Sequence, residues 1–136
     1  MSDELAGAAR AFVDAARVAR LGTVTADGGP HVVPVCPVLD LDRIVFSSSY
    51  DRKVANIRDN PAVCIAFDEY SEDWVDGLRQ VIVFGTAYLV ESGPEWERDR
   101  NLLNEKFPQY PVTSPMEPDE TVMVEIRPVW VSSSGL

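Results

Sequence analysis

Apolar positions along this chain fall into one helical stretch followed by a series of short β-prone runs. Leu5, Ala8, Ala9, Phe12, Val13 and Ala16 recur at i, i+3, i+4, i+7, i+8 and i+11, which predicts an amphipathic helix with Ser2 ahead of it and Asp3 and Glu4 in its first turn. After Arg17 the spacing shortens. Val18 to Ala26, His31 to Leu39 and Arg43 to Ser48 read as strands, and Asp27-Gly28-Gly29 and Asp40-Leu41-Asp42 between them read as hairpin turns. Pro34 and Pro37 remove two amide donors from the second run, so it belongs at an edge, at a bulge or on the floor of a pocket.

Ala62 to Phe67 and Arg79 to Glu91 supply a fourth strand and a long fifth one, with Gly85 the expected site of a kink or bulge. Ser92-Gly93-Pro94-Glu95 has the spacing of a capping box, and Trp96, Leu103 and Phe107 mark one helical face as far as Pro108. Pro108 to Pro118 is expected as loop. Val122, Val124 and Ile126 then begin a last strand that breaks at Pro128 and resumes through Val129, Trp130 and Val131, with the Ser-Gly tail a candidate for disorder. Six short strands with flanking helices predict a mainly β fold, a closed or nearly closed antiparallel barrel.

The stretch with most chemistry is Ser47 to Pro61. A strand ends in Ser47, Ser48 and Ser49, and Val54 and Ile57 switch the apolar spacing to a helical one that stops at Asp59-Asn60-Pro61. Serine hydroxyls, free N–H groups at the helix start and the cations Arg52 and Lys53 are the parts of an anion seat, helped by the helix dipole. A polar turn capped by serine accounts for the same residues.

Composition narrows the partners. The 136 residues, 46% of them hydrophobic, suit one domain over 1–136, and the net charge of −10 with a pI near 4.4 disfavours nucleic acid and anionic lipid while leaving room for one small anion. No apolar run approaches the ~20 residues of a membrane span and the start lacks a signal-peptide pattern, so the expected location is the cytoplasm. Cys36 and Cys64 lie in apolar runs without metal-site spacing and read as buried small hydrophobes, and His31, the single histidine, reads as a solvated edge residue. Asp68, Glu69, Glu72, Asp73 and Asp76 around Trp74 read as a solvated acidic loop; no metal site is expected.

The order of these pieces is informative. Ala19-Arg20-Leu21-Gly22-Thr23-Val24 before a glycine turn, His31-Val32-Val33-Pro34-Val35, the strand ending in serines, Lys53-x-x-Asn56-Ile57-x-x-Asn60-Pro61, the Asp73-Trp74 loop and Val83-Phe84-Gly85-Thr86-Ala87 together resemble the split-barrel flavin-binding family related to pyridoxamine 5′-phosphate oxidase, including its deazaflavin (F420) branch. The resemblance runs from about residue 5 to 130. It implies a six-stranded antiparallel Greek-key split barrel, the FMN-binding split barrel, working as a homodimer with the cofactor in a groove between subunits. By the same resemblance Ser47, Ser49 and Lys53, with Arg52 beside them, hold the cofactor phosphate and Asn56 braces that turn. Val33, Pro34 and Val35, continuing to Cys36, run along the ring, and Trp130 borders it from the other subunit. Read from the residues alone, Asn56 is commonly a helix-surface residue, Trp130 more often a core residue and Val33 simply apolar wall.

Hydride transfer asks for no acid–base triad from the protein, because the cofactor carries the difficult step, and this suits a chain with one histidine. The implied activity is that of an FMN-dependent oxidoreductase passing hydride to or from a small molecule. An F420-dependent reductase is the alternative, set back by the −10 charge and by Asp51 and Ala55 where more basic residues would help hold an acidic cofactor tail. A non-catalytic flavin carrier or sensor is the third. Tyr50 and Trp74 are exposed aromatics suited either to a ring or substrate contact or to dimer packing. The catalytic residues are unassigned.

Overall fold

The computed structural model of the protein describes residues 2, 4–73 and 77–136. The elements run α1 (Gly7–Ala15), β1 (Ala19–Val24), β2 (Pro30–Val35), β3 (Val38–Asp40), β4 (Arg43–Ser48), α2 (Arg52–Asp59), β5 (Ala62–Tyr70), β6 (Leu78–Val90), α3 (Pro94–Lys106), α4 (Tyr110–Thr113) and β7 (Val122–Ser134). All the strand pairings are antiparallel, in the order β2-β1-β5-β6-β7-β4-β3.

The expected six-stranded barrel is therefore corrected to a seven-stranded sheet whose ladder does not close. The run from His31 to Leu39 is two strands. Pro37 has no N–H to offer a ladder, the chain leaves the sheet at Cys36-Pro37, and β2 and β3 become its two ends. Lys106 holds this corner: its ammonium donates to the carbonyls of Ala16 at 2.5 Å and Pro37 at 2.8 Å.

Inward side chains from β1, β4, β5, β6 and β7 meet in one core that includes the fully buried Leu21, Ile44, Phe46, Ile65, Phe67 and Ile126. A second core lies on the outer side of β3, β4 and β7, where Val38, Val45 and Met123 pack against Trp96, Leu103 and Phe107 of the α3 arm. Because β4 is covered on both faces, Ile44-Val45-Phe46 is continuously apolar rather than alternating.

Other boundaries moved for local reasons. The first helix begins at Gly7 with Ala6 as its cap, because Ser2 exchanges backbone hydrogen bonds with Val131 and belongs to the sheet, although Leu5 is buried as its apolar spacing requires. The cap of α3 is Gly93, at φ 96° with Pro94 following, rather than Ser92. Tyr110–Thr113 forms a helical turn inside the expected loop, and the serine tail pairs with β6 as far as Ser134.

Pro128 does not break the last strand. Register shifts there by one residue, Phe84 pairing Trp130 and Gly85 pairing Pro128, so Val129 is the extra residue of a bulge. A Cβ on Gly85 would lie 2.5 Å from the Arg127 carbonyl oxygen and 2.8 Å from Ile126 Cγ2, which is why glycine stands at the expected kink. Cys36 and Cys64 are half-buried rather than enclosed, and so is His31, whose Nδ1 is buried without a hydrogen-bond partner rather than solvated. Asp68 and Glu69 of the expected acidic loop belong instead to β5, paired with Gln80 and Arg79 of β6, while Trp74 and Asp76, and Asp3, lie outside the described residues. Among the described residues no helix is long and apolar enough to cross a membrane and no group of three or more metal-ligating side chains assembles.

Candidate cofactor site

The turn from β4 into α2 is built around Asp51. It caps α2 in extended backbone conformation, and its amide donates to the Ser49 carbonyl at 2.9 Å. Lys53 Nζ lies 2.6 Å from one carboxylate oxygen and the Ser48 hydroxyl 3.3 Å from the other. Burial alone would raise the Asp51 pKa, but the hydrogen bond and charge of Lys53 outweigh it and hold the carboxyl below its ordinary value. Lys53 is thus not a lone cation at the turn.

Asn56, on the next turn of α2, is buried, and its Nδ2 donates to the Thr23 hydroxyl at 3.0 Å. This bond fastens α2 to β1. Arg52 is exposed and lies close enough to the β1–β2 turn to act on Asp27, whose carboxyl is lowered chiefly by the Thr25 hydroxyl and the Gly29 amide.

Ser47, Ser48 and Ser49 line a cleft of about 420 Å³ facing Tyr110, Ser114 and Glu120. Burial raises the Tyr110 phenol, with a hydrogen bond to Ser47 acting the other way. Tyr110 lies in a proline-rich stretch that reads as loop, and the roles of Asp51 and Thr23 as partners of Lys53 and Asn56 are not visible in the sequence. A threonine within the apolar-rich run Leu21 to Val24 was the available signal for Thr23, which the structure shows to be buried.

Val33 and Val35 point toward the main core and Pro34 is exposed on the opposite side. Among the described residues β2 pairs only with β1, which leaves its other backbone edge without a strand partner there. Trp130 is elsewhere. It lies eight residues along β7 from Val122, the residue paired with Ser48, so strand rise alone separates it from the serine turn by roughly 25 Å. Within one chain the structure brings the serines, Lys53 and Asn56 to one end of the fold and leaves Trp130 on its outer face.

That outer face carries a row in register: Val32 pairs Gly22, Gly22 pairs Cys64, Cys64 pairs Phe84 and Phe84 pairs Trp130. The rings of Phe84 and Trp130 meet at 4.4 Å between centroids, while Phe84 remains 39% and Val32 65% exposed. Burial pushes the Cys64 thiol up. Neither Phe84 nor Cys64 was singled out as a surface feature from the sequence, because in a single strand they read as core.

The sequence profile of the pyridoxamine 5′-phosphate oxidase family matches residues 5–135. The chain belongs to this family. Within the pyridoxamine 5′-phosphate oxidase family and its fold, relatives differ in what they are named for. A 5a,11a-dehydrotetracycline/5a,11a-dehydrooxytetracycline reductase of Streptomyces rimosus is 29% identical over 124 residues, covering 85% of this chain and 87% of the relative. An FAD-binding protein of Mesorhizobium loti superposes with a TM-score of 0.75 at 23% identity, over 91% of this chain and 89% of that one. An F420 reductase superposes with a TM-score of 0.73 at 22% identity, over 93% and 98%. At these identities the two structures establish the fold.

Proposed function

We propose that the protein is a homodimeric oxidoreductase that holds FMN with its phosphate at the β4–α2 turn and passes hydride to or from a small molecule. The observation that carries this reading is the assembly of Ser47, Ser48 and Ser49 with Lys53 at the start of a helix that Asn56 fastens to β1. A phosphate monoester needs hydroxyl and N–H donors with cations in reach, and Ser47, Ser49, the first turn of α2, Lys53 and Arg52 supply them. The unpaired edge of β2 at Val33, Pro34 and Val35 offers backbone donors and acceptors to the polar rim of a flat ring. When bound, the flavin supplies the hydride chemistry, and the chain supplies orientation and electrostatics.

The homodimer rests on the outer row. An apolar strip of Val32, Cys64, Phe84 and Trp130 across five strands is suited to burial against a second copy, and the distance of Trp130 from its own serine turn fits a role at the partner's site.

One observation favours F420 as a second reading. Arg52 and Lys53 against Asp51 leave one net positive charge at the turn, enough to meet the singly charged phosphodiester of the deazaflavin, while its acidic tail would have to find cations away from Asp51. Absorbance and mass spectrometry of the chromophore that accompanies the protein from a host making both cofactors separate the two readings. Bound FMN supports the first and bound F420 the second; a protein that takes up neither contradicts both, and a bound cofactor that no nicotinamide donor or partner reductase reduces points to a carrier.

A further inference from the structure

Away from the serine turn, the interface between α3 and the sheet contains a cluster of charges buried in the second core. Arg43 of β4 reaches Asp40 of β3 at 2.5 Å, Glu125 of β7 at 2.5 Å and Asp99 of α3 at 3.5 Å. Side-chain exposure is 5% for Arg43, 3% for Glu125 and zero for Asp99. Arg98, at the rim, also contacts Asp40.

Two guanidinium groups therefore face three carboxylates, and the shares are unequal. Asp40 takes Arg98 and part of Arg43, Glu125 has an ion-pair contact with the other end of Arg43 that leaves its Oε2 without a hydrogen bond, and neither oxygen of Asp99 receives a hydrogen bond from any described residue. A buried carboxylate that receives no hydrogen bond is among the costliest groups to keep ionised. Adding one proton to Asp99 cancels the surplus charge and creates a donor, for which the neighbouring Glu125 carboxylate is the acceptor. Glu95, one helical turn before Asp99, adds repulsion against ionisation, and Arg127, two residues along β7, favours the ionised form of Glu125.

We propose that a proton shared between Asp99 and Glu125 docks α3 onto β4 and β7, and that its loss in alkaline solution loosens the α3–α4 arm that walls the serine cleft. The arm is continuous from this cluster to that wall. Trp96 Nε1 donates to the Thr121 carbonyl at 3.1 Å, Phe107 packs in the second core, and Tyr110 lines the cleft with a hydrogen bond to Ser47. Burial, then Glu125, push the Asp99 carboxyl up to about 8, against the opposing pull of Arg43.

The sign follows from proton counts. Between its ordinary value and about 8, Asp99 is protonated in the fold and ionised in the unfolded chain, so stability falls as pH rises through that window and levels off above it. Burial pushes Glu125 up, but its bonds to Asp99 and Arg43 prevail and hold it below the ordinary range, so its own contribution is lost only in acid. The two effects occupy different pH ranges.

The test compares the whole protein with Asp99→Asn, which keeps the size and a donor toward Glu125 but cannot ionise. The thermal midpoint of the native protein is expected to fall by on the order of 10 °C from pH 5 to pH 8.5, and Asp99→Asn to lose most of that fall. Equal falls in the two proteins, or a flat native profile, overturn the proposal. Should Asp99→Asn not fold, ¹³C NMR of the native Asp99 carboxyl decides: a midpoint well above 6 supports the shared proton, and one in the ordinary carboxylate range overturns it. Amide exchange over residues 94–113, taken relative to that of β5 and β6 at the same pH, is expected to quicken from pH 6 to pH 9; a constant ratio overturns the loosening. None of these readouts depends on a cofactor.

Discussion

Asn56 and Thr23 are joined by a buried hydrogen bond of 3.0 Å across 33 residues of chain, and this bond ties the helix after the serine turn to the first strand. Asn56→Ala leaves the Thr23 hydroxyl without its donor and is expected to cost about 1–3 kcal/mol. Thr23→Val in the same background is expected to recover part of that loss, because both polar partners are then gone. Urea denaturation of the four proteins of this cycle gives the coupling; additive losses would mean that the two side chains act independently.

Gly85 faces backbone and a branched side chain at the bulge opposite Pro128. Gly85→Ala places a methyl against the Arg127 carbonyl and Ile126 Cγ2, neither of which is the free end of a flexible chain, and is expected to cost about 1–3 kcal/mol. An unchanged denaturation midpoint would mean that the β6–β7 bulge relaxes freely.

Asp51 contributes to stability in the opposite pH direction from Asp99. Its carboxyl is held below the ordinary value in the fold, so its contribution is present at neutral pH and is lost as pH falls through that lowered value. Asp51→Asn is expected to flatten the acid limb of the stability profile between pH 5 and pH 3, read as thermal midpoint against pH. An acid limb identical to that of the native protein removes the Asp51–Lys53 pair from the account.

Phe84→Glu puts a charge in the middle of the outer apolar row. Light scattering at micromolar concentration is expected to show a dimer for the native protein and a monomer for the variant, with the far-ultraviolet circular dichroism of both alike. A native monomer, or a variant that remains a dimer, assigns the row another role.

Much of the fold is legible in the chain because its signals are local. The turns at Asp27-Gly28-Gly29 and Asp40-Leu41-Asp42, the glycine at position 85 and the switch to helical spacing at Val54 and Ile57 each act within a few residues. What escaped depends on partners distant in sequence. Pro37 splits a strand and Pro128 does not, and the difference lies in what stands opposite: Pro128 meets Gly85 at a bulge in the β6–β7 ladder, whereas Cys36-Pro37 faces no strand among the described residues. At the site, the strand-end serines and Lys53 were legible by type and spacing. Asp51 as the partner of Lys53, Thr23 as the anchor of Asn56 and Tyr110 as the wall opposite Ser47 required the fold. The Asp99 cluster drew no notice because each of its members, taken singly, reads as a surface charge.

The central claim is that the β4–α2 turn holds the phosphate of a flavin-type cofactor, and the most direct test is titration of the purified protein and of Lys53→Ala with FMN and with F420, followed by cofactor fluorescence. Saturable binding of at least one cofactor by the native protein is expected, weakened roughly tenfold or more in Lys53→Ala as a charge-assisted bond worth about 1.5–3 kcal/mol is removed. Failure of both cofactors to bind, or equal affinity of the two proteins for the one that does, would contradict it.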